Sequence, residues 1–165
     1  MKSDVAPPTV VSARSSAVLT IFWIGLIAGT LDISDALIFT WLHGVGPARV
    51  FQFIASGLIG PRSFQGGVAT VLLGVALHYF IALSWTAIFY AASRKLTFLI
   101  RRPVISGLLY GVFVYLIMNL VVLPLSRIPH TRPATLASRV NGVLALMLCI
   151  GLTISLLVRR NAAPR

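Results

Sequence analysis

The chain contains three carboxylates, and two of them, Asp32 and Asp35, stand inside one long apolar run. A charged aspartate at the centre of a membrane-spanning helix costs roughly 2.5–3.5 kcal/mol on insertion scales. Two in one run need a reason. His78, in a second apolar run, offers one. An aspartate set against an imidazole can clamp two helices through a hydrogen bond, worth about 0.6 kcal/mol on average in membranes and up to about 1.7. The same pair can instead take up and release a proton or a cation, since intramembrane ionisable groups often mark such paths. Tyr115 and Asn119, at i and i+4 in a third run, add two polar groups on one helical face.

Other chemistry is thin. The histidines are His43, His78 and His130, with no HxxxH or HExxH pair, and Cys149 is the lone cysteine. Zinc spacing is therefore absent. A metal held by His43, His130 and Asp35 is the weakest reading, and neither a metal nor a cofactor is expected. No GxSxG, P-loop or GxGxxG occurs, and the serines follow no acid–histidine pattern. An enzyme is the less favoured class. Cys149 lies in an apolar run and reads as a buried structural thiol.

The composition says what must position these groups. Of 165 residues, 58% are hydrophobic and 10% charged, and mean hydropathy is +0.94. A soluble domain carries roughly 25% charge. That excludes a disordered chain, a secreted disulfide scaffold and an ordinary cytosolic enzyme, and leaves a polytopic membrane protein of one domain. The net charge of +11 does not form one patch. The basic residues sit in short groups between apolar runs, as membrane proteins arrange them to set orientation. Nucleic acid is not an expected partner; the lipid bilayer is, with further copies of the chain as an option.

Residues 1–16 read as a polar, disordered tail. Four runs follow, at about 17–42, 66–93, 104–125 and 140–158, each near the roughly 20 residues that a span needs. Residues 159–165 form a second tail. Within lipid the backbone must satisfy itself, so the runs are helices. The expected fold is an all-α, four-transmembrane-helix bundle over 17–158. The tails and the 94–103 loop hold Lys2, Arg14, Arg94, Lys95, Arg101, Arg102, Arg159, Arg160 and Arg165, nine in all. The opposite side holds five: Arg49, Arg62, Arg127, Arg132 and Arg139. The positive-inside rule then places both tails in the cytoplasm. The 94–103 loop is tight, which makes the second and third spans antiparallel neighbours. Pro47 can open a short helix between the first and second spans. That segment is too short to cross, so an interfacial helix is expected, a lid on the bundle or, more sharply, a substrate gate.

Small residues indicate how the spans pack. Gly25 and Gly29 form a GxxxG in the first span, and Gly107 and Gly111 another in the third; Gly74 lies in the second. Such spacing permits close backbone approach. The segments GLIAG and GLLYG look alike, which hints at a duplicated two-helix hairpin. At 1.5 Å per residue, Asp32, His78 and Asn119 fall about 4, 2 and 7 Å outward of the centres of their spans. Asp32 shares a stripe with Gly25 and Gly29, and His78 one with Gly74 and Ala82. An inward polar layer of Asp32, His78, Tyr115 and Asn119 follows, with Asp35 a turn further out, within reach of the headgroups, Arg49 or Arg127. The layer either stabilises the bundle or an oligomer, or serves a small proton- or cation-coupled transporter or channel through Asp32 and His78.

The stretch Phe22-Trp-Ile-Gly-Leu-Ile-Ala-Gly29, His78 in a helix of small residues, Gly107-Leu-Leu-Tyr-Gly111 and Leu123-Pro-Leu125 resemble small bacterial inner-membrane proteins of the YagU type. The likeness covers roughly the first three spans. It implies a helical protein of the bacterial inner membrane and no established reaction.

Overall fold

A computed structural model describes residues 10–129 and 135–161, with side chains from Ala17 onward. The described residues form helices and no strand: α1 (Val10–Leu42), α2 (Pro47–Ile59), α3 (Gly67–Lys95), α4 (Phe98–Arg101), α5 (Pro103–Leu125) and α6 (Leu136–Asn161). A short 3-10 helix, Gly60–Gln65, links α2 to α3. Four stretches are long and apolar enough to cross a membrane: Ala17–Leu42 of α1, with 26 residues, and α3, α5 and α6, with 29, 23 and 26. At 1.5 Å per residue they measure roughly 35–44 Å. A hydrocarbon core is about 30 Å thick, so the helices tilt or carry their ends into the headgroup layers. The chain is a multi-pass, all-α membrane protein.

The helix bounds differ from the sequence expectation at both ends. α1 starts at Val10, inside the stretch read as a polar tail, and α6 continues to Asn161, over the start of the second tail. Residues 1–9 and 162–165 lie outside the described residues, as do residues 130–134.

Large side chains point outward, as lipid permits. Leu19, Trp23, Phe80, Leu109 and Leu120 are exposed. Between the helices sit Ile24, Ala28, Phe89, Val114, Ile150, Ile154 and Val158, together with buried Ser56, Thr86, Ser93, Ser106 and Ser155. The helices pack most closely from α5 to α6, from α2 to α3 and from α1 to α3, with α1 also lying against α6. α3 and α5 meet through aromatic rings instead. Tyr110 packs on Trp85 and Phe89, and its hydroxyl donates to the Trp85 carbonyl at 2.7 Å.

Glycines set these approaches. A Cβ on Gly25 would lie 2.7 Å from Leu83 Cδ2, and one on Gly29 would lie 2.9 Å from Ala82 Cβ. On α5, a Cβ at Gly107 would meet the Gly151 carbonyl at 2.8 Å, and one at Gly111 would run into the backbone of Met147. There two main chains touch with no side chain between them.

Two of the spans contain a π-helical stretch. In α5 it covers Met118–Val122, just before Pro124. A proline within a helix has no N–H to give and its ring crowds the carbonyl four residues back, here Leu120. The wider turn makes room. In α6 the stretch is Leu146–Leu152, where Gly107 and Gly111 press on it. The Thr153 hydroxyl donates to the Leu148 carbonyl at 3.1 Å.

α2 begins at Pro47, whose missing N–H costs nothing in the first turn. It ends at Gly60, with φ of 71°, a conformation that suits glycine. Its buried residues are Gln52, Ala55 and Ser56, while Phe53 and Leu58 are exposed. The helix lies against α3 at Gly74, where a Cβ would run into the Phe51 carbonyl. Gly74 is seven residues into α3, about 10 Å, so α2 dips beside the bundle. Arg49 stacks over the Phe64 ring at 4.6 Å. The Arg127 amide donates to the Gly57 carbonyl at 3.0 Å, which fastens the segment after α5 onto α2.

Candidate functional site

The polar groups of the bundle collect around the C-terminal half of α1. His78 projects from α3, buried at 9% exposure, and its Nε2 lies 2.8 Å from the Gly29 carbonyl of α1. A carbonyl only accepts, so Nε2 carries the proton and Nδ1 is left with a lone pair in the neutral ring. Gly29 makes this reach possible, because a side chain there would meet Ala82 and the Tyr79 ring. Next to it, the Thr30 hydroxyl donates to the Leu26 carbonyl at 2.8 Å. Its single proton is thereby used, so the Tyr79 hydroxyl, 3.0 Å away, donates to Thr30 Oγ1.

Asp35 lies one turn beyond Asp32. Its Oδ2 accepts from Asn141 Nδ2 of α6 at 2.9 Å. Asp32 itself is half-buried. It stands three residues above Gly29, about 4.5 Å along α1. Among the described residues it makes no hydrogen bond and no ion pair. Cys149 of α6 is half-buried.

Several expected groupings are rearranged. His78 bonds to a backbone carbonyl of α1 rather than to the Asp32 carboxylate, because glycine leaves that carbonyl open. Asn119 does not join the layer. It is exposed, and its amide donates to the Tyr115 carbonyl of its own helix at 2.9 Å. Asn119 lies in the π-helical stretch Met118–Val122. Tyr115 turns its ring toward Gly142 of α6. Asp35 pairs with Asn141 and with neither Arg49 nor Arg127. His43 Nδ1 donates to the Phe39 carbonyl of its own helix at 2.7 Å, and His130 lies outside the described residues. No three His, Cys, Asp or Glu side chains converge among the described residues.

Three participants escaped the sequence reading: Thr30, Tyr79 and Asn141. Asn141 sits at the edge of its apolar run, where an amide reads as a helix end. Tyr79 and Thr30 flank residues that were singled out, and their polarity was the available signal.

The chain has no significant match among protein-family models, curated proteins or solved structures.

Proposed function

We propose that this is a non-enzymatic protein of a bacterial inner membrane, with the α4 side of the bundle facing the cytoplasm, in which intramembrane hydrogen bonds hold the helices to α1. The observation that carries the reading is the convergence of three bonds on one helix. His78 and Tyr79 reach α1 from α3, and Asn141 reaches it from α6. At the membrane average of about 0.6 kcal/mol each, they contribute roughly 2 kcal/mol. That is enough to fix the rotation of α1 between its neighbours. The same fixed geometry suits a homo-oligomer, whose contacts need an unvarying outer surface. The experiment is thermal unfolding of the purified protein in detergent. His78→Met removes the bond and keeps an apolar side chain, and should cost about 0.6–1.7 kcal/mol. An unchanged melting curve would remove the clamp.

One observation favours a second reading, a small proton- or cation-coupled transporter or channel. Asp32 has no hydrogen-bond partner among the described residues, yet lies three residues beyond Gly29, whose carbonyl holds the His78 imidazole. In proteoliposomes carrying a pH-sensitive dye, flux that vanishes in Asp32→Asn supports this reading. Equal flux in wild type and variant sinks it.

A further inference from the structure

On the lipid-facing side of the bundle, α1 and α6 leave a groove at the end opposite Asp35. It consists of two adjoining hollows of about 370 and 530 Å³ that share Ile27 and Leu157. Trp23 and Ile27 of α1 and Leu156 and Leu157 of α6 form its apolar walls, and Arg159 and Arg160 stand at its mouth. On α1 the lining runs from Leu19 to Ile27, eight residues or about 12 Å. One leaflet of a 30 Å hydrocarbon core is about 15 Å deep. The groove thus has the depth of an acyl chain in a single leaflet.

The charge at the mouth has no answer within the described chain. The only carboxylates among the described residues are Asp32 and Asp35. Thr20, beside Asn161 in the groove, is twelve residues from Asp32, roughly 18 Å along α1. Arg159 and Arg160 are both exposed. Arginine also presents a planar fork of donors that matches phosphate. No described residue supplies the counter-anion, and an anion joined to an apolar chain would also fill the walls below it.

We infer that the α1/α6 groove binds an anionic membrane phospholipid, one acyl chain lying along Trp23, Ile27 and Leu157 and the headgroup phosphate held by Arg159 and Arg160. Basic pockets between membrane helices recognise lipid headgroups in this way. The inference is independent of the role of Asp32 and His78.

The test is native mass spectrometry of the full chain, released from nanodiscs of phosphatidylglycerol or of phosphatidylcholine with the same acyl chains. Wild type should retain phosphatidylglycerol and not phosphatidylcholine. R159Q/R160Q should weaken that retention on the order of 30-fold, since each basic residue near a membrane surface is worth about fivefold. R94Q/K95Q removes equal charge at the end of α3, outside the groove, and should leave retention intact. Equal retention of both lipids by wild type would overturn the proposal, as would equal loss in both double variants, which is the mark of general surface charge. A disulfide between copies carrying Trp23→Cys, formed quantitatively in the bilayer, would give the groove to a second chain and overturn it as well.

Discussion

The α1/α3 pair and the α5/α6 pair are built on one contact scheme and held by different forces. Gly25 and Gly29 face Thr86, Ala82 and Tyr79; Gly107 and Gly111 face Ser155, Gly151 and Met147. Matched on those contacts, Ile81-Ala-Leu-Ser-Trp-Thr86 stands over Ile150-Gly-Leu-Thr-Ile-Ser155. Gly25 and Gly107 are 82 positions apart, Ala82 and Gly151 are 69 apart, and the difference of 13 is the length of α2. His78 then corresponds to Met147 and Asp32 to Val114, which is buried at 1% exposure. The second hairpin has one buried bond between its helices, from the Ser155 hydroxyl to the Pro103 carbonyl at 2.7 Å, and elsewhere its main chains touch. In the first, Leu83, Ala82 and Tyr79 fill the space facing the glycines, and hydrogen bonds across the gap supplement the packing.

The comparison can be broken most severely at Gly111. Gly111→Ala puts a methyl into the Met147 backbone, which cannot move aside, and should cost about 3 kcal/mol or more. Gly25→Ala meets the end of the Leu83 side chain, which can rotate, and should cost about 1 kcal/mol. Melting temperatures of the two variants in one detergent decide it; equal losses would mean the pairs are held alike.

A smaller effect is expected between α1 and α6. Asn141→Leu strands the Asp35 carboxylate, whereas Asp35→Leu with Asn141→Leu removes both partners. The double variant should be more stable than the sum of the single losses allows, by about 0.6–1.7 kcal/mol. A double-mutant cycle measured by unfolding in detergent reads this coupling directly, and additive losses would show that the bond contributes nothing.

The smallest effect belongs to Asn119. Asn119→Ala should change stability by less than about 0.5 kcal/mol, as exposed sites usually do. A loss like that of His78→Met would return Asn119 to the polar layer.

Much of this architecture is legible in the residues. Runs of apolar residues mark the four spans, and Pro47 marks the first residue of α2, because length and missing donors are properties of sequence. The neighbourhood of Asp32 and His78 also follows from depth and stripe. The partners do not. Asn119 spends its amide on the Tyr115 carbonyl of its own helix, a local choice that spacing does not reveal. The acceptor for His78 is a main-chain oxygen bared by Gly29, and a list of side chains contains no such group. Asn141 reaches Asp35 only because α6 crosses α1 where it does, a fact of packing between segments 106 positions apart.

The bond from the Arg127 amide to the Gly57 carbonyl has a consequence for the order of assembly. Gly57 leaves the ribosome 70 residues before Arg127. The α1/α3 pair and α2 can therefore settle while the third span is still being made. The latch over α2 closes only once α5 has crossed, so it reports completed insertion of the second hairpin, and hydrogen exchange at the Arg127 amide during synthesis would time that event.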